Sequence, residues 1–380
     1  MSAADGGLKI ASAEECGLDR VRWQRAIELC EELTSRDLLP ALSVCVVRGD
    51  RCLEPLAFGR RRLSDPTTKV QPDDRFVIAS LTKPVVAMGV LALVEQGRIG
   101  LNDRVSEYLP EYRDAPKRST TIRHLLTHTS GLPDSLPNNF ALRQAHAPLA
   151  EFVKGACEIG LDFPPGRGVQ YQSLGYALLG EIINRVSGRP FGQFLKEAFF
   201  DPLGMESTTI GPVAPKVSKP IVEIRVPAEM SGGDDWNWNS PYWQELGAPW
   251  GGMISTARDL ARFCEMILGE GRLNSVRVLS EASVRAATTN QLEYLRDVPE
   301  ADRRTRPWGF GWRLNWPAHA ACFADILPAT AFGHWGATGT LFWMNRENQA
   351  AVVILSSQPV EKDRSPITKL SNAVAAAIGG

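Results

Sequence analysis

The sequence predicts an α+β fold: an antiparallel sheet built from N- and C-terminal strands, flanked by helices, with a mostly helical lobe inserted between them. Three observations predict it. A short β run, Leu42 to Val47 (LSVCVV), lies near the start of the chain. Two more, Thr338 to Met344 and Ala350 to Ser356, lie near its end and pair naturally across the polar turn at Asn345 to Asn348. Between these ends, apolar residues recur mostly at helical spacing.

In chain order, Asp19 to Thr34 predicts an amphipathic helix with Asp19 as N-cap. After Leu42 to Val47, Arg48-Gly49-Asp50 forms a turn and a second strand runs from about Cys52 to Phe58. Ser80 to Gln96 is apolar on most faces and predicts a buried helix, with Pro84 in its first turn, where a missing N–H does least harm. Thr121 to Thr127 predicts a short helix that stops at Ser130-Gly131-Leu132-Pro133. Leu174 to Val186 and Phe191 to Phe199 predict two more, separated by Ser187-Gly188 and Pro190. Residues 211–250 carry prolines, Gly232-Gly233 and the aromatics Trp236, Trp238, Tyr242, Trp243 and Trp250. So many tryptophans predict an ordered loop region instead of a linker. Thr256, with Asp259 three residues on, resembles a capping box for a helix to about Leu268. Trp308 to Trp316 predicts a strand and Ile367 to Ile378 a closing helix.

A chain of 380 residues has room for two or three structural units. Lys and Arg number 42 against 43 Asp and Glu, which leaves no basic field for nucleic acid or an anionic membrane. The N-terminus lacks the charged and apolar regions of a secretory signal, and Pro84 to Val94 is too short to span a bilayer. The expected location is cytoplasmic. The cysteines (Cys16, Cys30, Cys45, Cys52, Cys157, Cys264, Cys322) form no CxxC pair and are odd in number, which fits buried thiols better than a disulfide framework.

Three short motifs carry chemistry. Ser80-Leu81-Thr82-Lys83 puts a serine and a lysine on one helical face, at a helix start where free N–H groups favour negative charge. Burial and the dipole must lower the lysine from about 10.4 before it accepts a proton at neutral pH. Taken alone, the same residues also suit an N-cap serine and a surface lysine. Tyr171-Gln172-Ser173 follows Phe163-Pro164-Pro165-Gly166 and can present its phenol to the nucleophile, where a phenolate stabilised by Lys83 would serve as general base; the same residue in isolation also suits a packing ring. His334-Trp335-Gly336-Ala337-Thr338-Gly339 is a glycine-rich strand edge that lets a substrate backbone approach and offers N–H groups to an oxyanion. His124 and His128 have metal-ligand spacing, but no Glu completes an H-E-x-x-H, so no metal and no cofactor is expected. There is no G-x-S-x-G elbow and no phosphate loop.

With the three motifs in this order, the chain resembles the serine β-lactamase-like family, which includes class C β-lactamases, D-alanyl-D-alanine carboxypeptidases, D-aminopeptidases and family VIII carboxylesterases. RFVIASLTKPVVAMGVLALVEQGRIGLNDRVSEYLPEY, TIRHLLTHTSGLPD, YQSLGYALLGEIINRVSGRPFGQFL, FFDPLGMEST and GGMISTARDLARF are similar to family segments, and the likeness runs from about Ala41 to Ser356. The resemblance implies a β-lactamase/transpeptidase-like fold. The expected units are a discontinuous sheet domain (1–80 and 251–380) and a helical domain (81–250), with the active site at their interface. It implies that Ser80 forms an acyl-enzyme, that Lys83 and Tyr171 share the proton transfers, and that N–H groups of Ser80 and Ala337 hold the oxyanion. Ser173, His334, Trp335 and Gly336 would line the substrate cleft.

Two departures bear on substrate. Ser173 stands where β-lactamases of this group carry Asn, and offers a hydroxyl instead of an amide. His334 stands where they carry Lys, and histidine is mostly neutral at pH 7. Both changes weaken β-lactams and D-Ala-D-Ala peptides as substrates. The expected activity is a carboxylesterase on small or medium-chain esters, with tryptophans near 236–250 and Trp335 as an apolar pocket. The alternatives are a D-aminopeptidase or weak β-lactamase, an acyltransferase, and a non-catalytic binding protein on the same fold.

Overall fold

Strand Ala41–Arg48 pairs antiparallel with Ala350–Ser356, from Arg48 opposite Ala350 to Leu42 opposite Ser356. The two ends of the chain therefore meet at the centre of one sheet. The computed structural model describes residues 8–317, 323–360 and 365–378. Ala350–Ser356 in turn pairs with Thr340–Asn345, that with Phe332–Gly336, and that with Arg313–Leu314 at one edge. On the other side, Ala41–Arg48 pairs with Arg51–Leu53 and with Leu56–Arg62, which carries Asp65–Lys69 beyond it.

The two central strands are buried almost throughout because helices cover both faces. Their side chains divide with period two. Leu42, Val44, Val46, Val352 and Ile354 join the cluster containing Trp23, Ala26 and Cys30 of helix Arg20–Ser35 and Leu370 and Val374 of helix Ser365–Ile378. Cys45, Val47, Ala351, Val353 and Leu355 join the cluster containing Leu260, Phe263 and Cys264 of helix Ala257–Leu268. Helix Thr82–Glu95 is buried from Thr82 to Leu93 and packs against Leu174–Ser187. Among the described residues, no helix is long and apolar enough to cross a membrane.

Several expectations need correction. The sheet is mixed, because Lys9–Ala11 adds to Arg51–Leu53 in parallel at the edge. The expected strand Cys52 to Phe58 is two, Arg51–Leu53 and Leu56–Arg62, interrupted at Glu54-Pro55, where proline lacks a ladder N–H. Trp308 to Trp316 contributes only Arg313–Leu314 to the sheet. Its glycines turn the backbone away: Gly311, at φ +78, donates to the Leu126 carbonyl at 3.0 Å, and Phe310 donates to Ala287 at 2.8 Å. The helix Phe191–Leu195 ends in a π turn, Lys196–Phe200. The capping box at Thr256 is half formed. Its hydroxyl takes the Asp259 N–H at 3.1 Å, while the Asp259 carboxylate accepts from the Ser207 N–H and the Thr208 hydroxyl instead. Cys16, Cys30, Cys45, Cys52, Cys157 and Cys264 are buried and unbridged; Cys322 lies outside the described residues.

Candidate active site

Ser80 is not the first residue of a regular helix. It sits in a 3-10 turn, Ala79–Leu81, that leads into Thr82–Glu95. Ala79 before it has φ +47, a left-handed conformation that costs a residue with a side chain about 1–3 kcal/mol. The surroundings hold that turn in place. The Thr82 hydroxyl donates to the Ala79 carbonyl at 2.7 Å and accepts the Met253 N–H at 3.1 Å. From the sheet, the Thr338 hydroxyl donates to Val77 at 2.7 Å and the Thr340 hydroxyl to Ile78 at 2.8 Å. Ser80 is left partly exposed.

Lys83 lies beneath it, fully buried. Its Nζ donates to Ser80 Oγ at 3.0 Å and to the Trp250 carbonyl at 2.9 Å. Burial lowers its ammonium to about 7, with the charge of Asp134 opposing. The Tyr171 ring lies with its centroid 4.7 Å from Nζ. Burial holds the Tyr171 phenol well above its ordinary range; a hydrogen bond with Ser80 lowers it in part, and Asp134 raises it further. Lysine is thus the group whose proton is loosely held near neutral pH, and tyrosine is held as a phenol.

The third motif approaches the nucleophile turn from the sheet. His334, in strand Phe332–Gly336, is buried, and its Nδ1 lies 2.7 Å from the Trp335 carbonyl. Burial first, then the charge of Lys83, brings His334 down to about 3, so it is neutral at physiological pH. Trp335 stacks on Tyr171 with centroids 6.2 Å apart and an interplanar angle of 20°. Gly336 passes so close to the Ser80 turn that an added Cβ would lie 3.1 Å from the Ala79 Cβ, which sets the Ala337 backbone beside the nucleophile turn. Ser173 opens helix Leu174–Ser187, accepts the Tyr176 N–H at 2.9 Å through its carbonyl, and makes no capping bond with its hydroxyl.

Ser80, Lys83, Tyr171, His334 and Trp335 therefore meet in one place, although they are up to 255 positions apart in the chain (335 − 80). The expected tryptophan pocket at 236–250 does not form as one group. Trp236 and Trp243 are buried around the Arg143 guanidinium, 5.3 Å and 4.4 Å from their rings, while Trp250 reaches the site through its carbonyl. A cavity of about 850 Å³ lined by Leu149, Phe191, Val213 and Leu246 lies apart and contains no motif residue.

Sequence reasoning missed Trp308 and the place of His128. His128 packs 4.8 Å from Tyr171 and 4.2 Å from Trp308. It does not share a helical face with His124: helix Ile122–Leu126 has ended, and His128 adopts φ +59. Each ring already accepts a backbone N–H at Nδ1, from Thr121 at 3.2 Å and from Gln172 at 3.1 Å respectively. The available signal was a histidine directly before the Thr129-Ser130-Gly131 breaker, where a ring held by a turn is aimed by its backbone.

Penicillin-binding protein 4 from Amycolatopsis lactamdurans is 31% identical over 337 residues, covering 85% of this chain and 81% of that protein. A penicillin-binding protein homologue from Caulobacter crescentus shares the fold with a TM-score of 0.76 at 22% identity, over 94% of this chain and 97% of that one. A family VIII carboxylesterase does so with a TM-score of 0.73 at 19% identity, over 93% and 97%. The profile of the beta-lactamase family matches residues 28–376, and the chain belongs to that family of serine hydrolases.

Proposed function

We propose that the chain is a carboxylesterase acting on small or medium-chain esters through an acyl-enzyme on Ser80. The observation that carries this is the 3.0 Å contact of Ser80 Oγ with a lysine whose proton is held only to about pH 7. In this reading, neutral Lys83 takes the Ser80 proton as Oγ attacks the ester carbonyl. The N–H groups of Ser80 and Ala337 hold the oxyanion. The C–O bond then breaks, and the leaving alkoxide receives a proton from the Lys83–Tyr171 pair. Water attacks the acyl-enzyme with Lys83 as base, and Ser80 recovers its proton. Tyr171 serves as a phenol, because its burial resists ionisation.

The ester assignment over charged peptides and lactams is supported by His334, a buried neutral ring that offers no lasting cation to a substrate carboxylate. The half-buried rings of Tyr171 and Trp335 offer an apolar wall for an acyl or alcohol group. Ser173 and Gly336 are placed in the same reading along the cleft, between a sheet unit (1–80, 251–380) and a helical unit (81–250).

The test is turnover of p-nitrophenyl acetate, butyrate and octanoate by wild type and Ser80→Ala, beside a chromogenic cephalosporin and a D-amino-acid amide. The expected result is ester turnover that falls by at least about 10³-fold in Ser80→Ala, with little turnover of the other two. Faster cephalosporin or amide turnover would replace the ester assignment. Ester turnover undiminished in Ser80→Ala would remove the nucleophile.

A further inference from the structure

His128 and His334 reach the site from distant parts of the chain, one from the turn after helix Ile122–Leu126 and one from strand Phe332–Gly336. Both are 0% exposed. Both rings pack on the same two neighbours. His128 lies 4.8 Å from Tyr171 and 4.2 Å from Trp308; His334 lies 6.0 Å and 5.8 Å from them.

Each imidazole has its Nδ1 engaged by backbone, in opposite senses. The Gln172 N–H donates to His128 Nδ1 at 3.1 Å, so that nitrogen carries the lone pair and the neutral ring bears its proton on Nε2. A carbonyl oxygen only accepts, so His334 Nδ1, 2.7 Å from the Trp335 carbonyl, bears the proton and its Nε2 carries the lone pair. The two Nε2 atoms are both buried and have no hydrogen-bond partner among the described residues. One is a donor and the other an acceptor.

Two buried polar atoms of complementary sense, against the same pair of rings, point to one shared partner. A metal ion does not fit, because His128 Nε2 holds a hydrogen and Lys83 and Arg313 bring positive charge to both rings. A water molecule fits: its oxygen accepts from His128 and one of its hydrogens goes to His334.

We propose that His128 is a positioning residue of this site, joined to His334 through one trapped water that ties the turn after Ile122–Leu126 to strand Phe332–Gly336 and fixes the Tyr171 ring between them. The bridge is neutral and transfers no proton. It makes the second and third motifs one rigid unit, although no direct bond joins the two imidazoles. The bridge itself does not depend on the ester assignment; only its kinetic readout rests on that reading.

Nitrogen NMR of the ¹⁵N-histidine protein without substrate, from pH 6 to 8, tests the bridge. The expected spectrum has His128 neutral with its proton on Nε2, His334 neutral with its proton on Nδ1, and a cross-peak from the His128 Nε2–H to a long-lived water. The opposite tautomer at either ring, an imidazolium, or absence of that water contact overturns the proposal. In the ester assay, His128→Phe is expected to lower kcat about 10- to 100-fold with KM nearly unchanged, as for a misplaced catalytic group. His128→Gln, whose amide reaches the same donor position, is expected to recover most of the loss. Equal losses in both variants, or a loss confined to KM, count against it. The tautomers are read without substrate, so a failure of the ester assignment leaves this result separate.

Discussion

Gly336 passes so close to Ile78 that a Cβ on the glycine would stand 2.4 Å from the Ile78 carbonyl oxygen. The third motif is pressed against the backbone just before Ser80, and no side chain fits between them. Gly336→Ala must push the strand and the nucleophile turn apart. It is expected to cost about 1–3 kcal/mol of stability by overpacking and to lower ester turnover by about 100-fold or more through displaced geometry. Gly160→Ala is the control, since nothing lies within 4 Å of its Cβ position. Denaturant melts and kcat/KM for both variants check this; a Gly336→Ala enzyme of wild-type activity would contradict the close approach.

The Lys83 pKa makes a prediction about pH. In the proposed mechanism Lys83 accepts the Ser80 proton only when it is itself deprotonated, so kcat/KM is expected to rise as pH increases through about 7 and then level. His334, at about 3, adds no step between pH 5 and 8. Lys83→Arg removes the limb along with at least about 10³-fold of the activity, because guanidinium stays charged. A rate profile flat from pH 5 to 9 is the outcome that would sink the lysine as base.

Trp335 stacks on Tyr171, and its removal tests the proposed apolar subsite. Trp335→Ala is expected to raise KM for p-nitrophenyl octanoate by about tenfold while moving acetate little, in line with about 25 cal/mol for each Å² of apolar surface that the acyl chain leaves in water. Equal shifts for both esters would place the acyl chain elsewhere.

Glu265, in helix Ala257–Leu268 behind the central sheet, predicts how stability depends on pH. Burial first, then the charge of Asp50, pushes its carboxyl up to about 7 from an ordinary 4.5, with Lys9 and Arg262 opposing. The folded chain therefore keeps a proton that the unfolded chain releases. Its contribution is fully present below about pH 4.5 and is lost as pH rises through about 7. Glu265→Gln is expected to gain on the order of 2 kcal/mol at pH 8 and nothing at pH 4.5. Thermal melts at the two values decide it: an equal change at both would mean the effect is packing, not charge.

Much of this fold could be read along the chain. The short apolar run Leu42 to Val47 marked the strand, and its division into Leu42, Val44 and Val46 on one face and Cys45 and Val47 on the other follows because side chains in a strand alternate whatever lies beyond them. Trp308 to Trp316 misled because its apolar run matched a strand, whereas the Gly311 backbone bonds across to Leu126. A run of residue types does not record where its N–H groups find acceptors.

The same division holds at the site. Ser80 and Lys83 were legible in the sequence once the three motifs were read together: three residues apart at the start of a helical segment, they face the same way, and their 3.0 Å contact is local. Tertiary structure decided everything that depends on surroundings. The lowered Lys83 pKa comes from burial in the packed fold, where its Nζ also reaches the carbonyl of Trp250, 167 residues away in sequence. The neutrality of His334 comes from a buried position and a nearby lysine, which outweigh the Trp335 carbonyl that favours the charged ring. The role of His128 comes from a backbone N–H at Gln172 that sets its tautomer. Desolvation and hydrogen-bond direction are properties of a packed environment, and the sequence states only which groups are available to it.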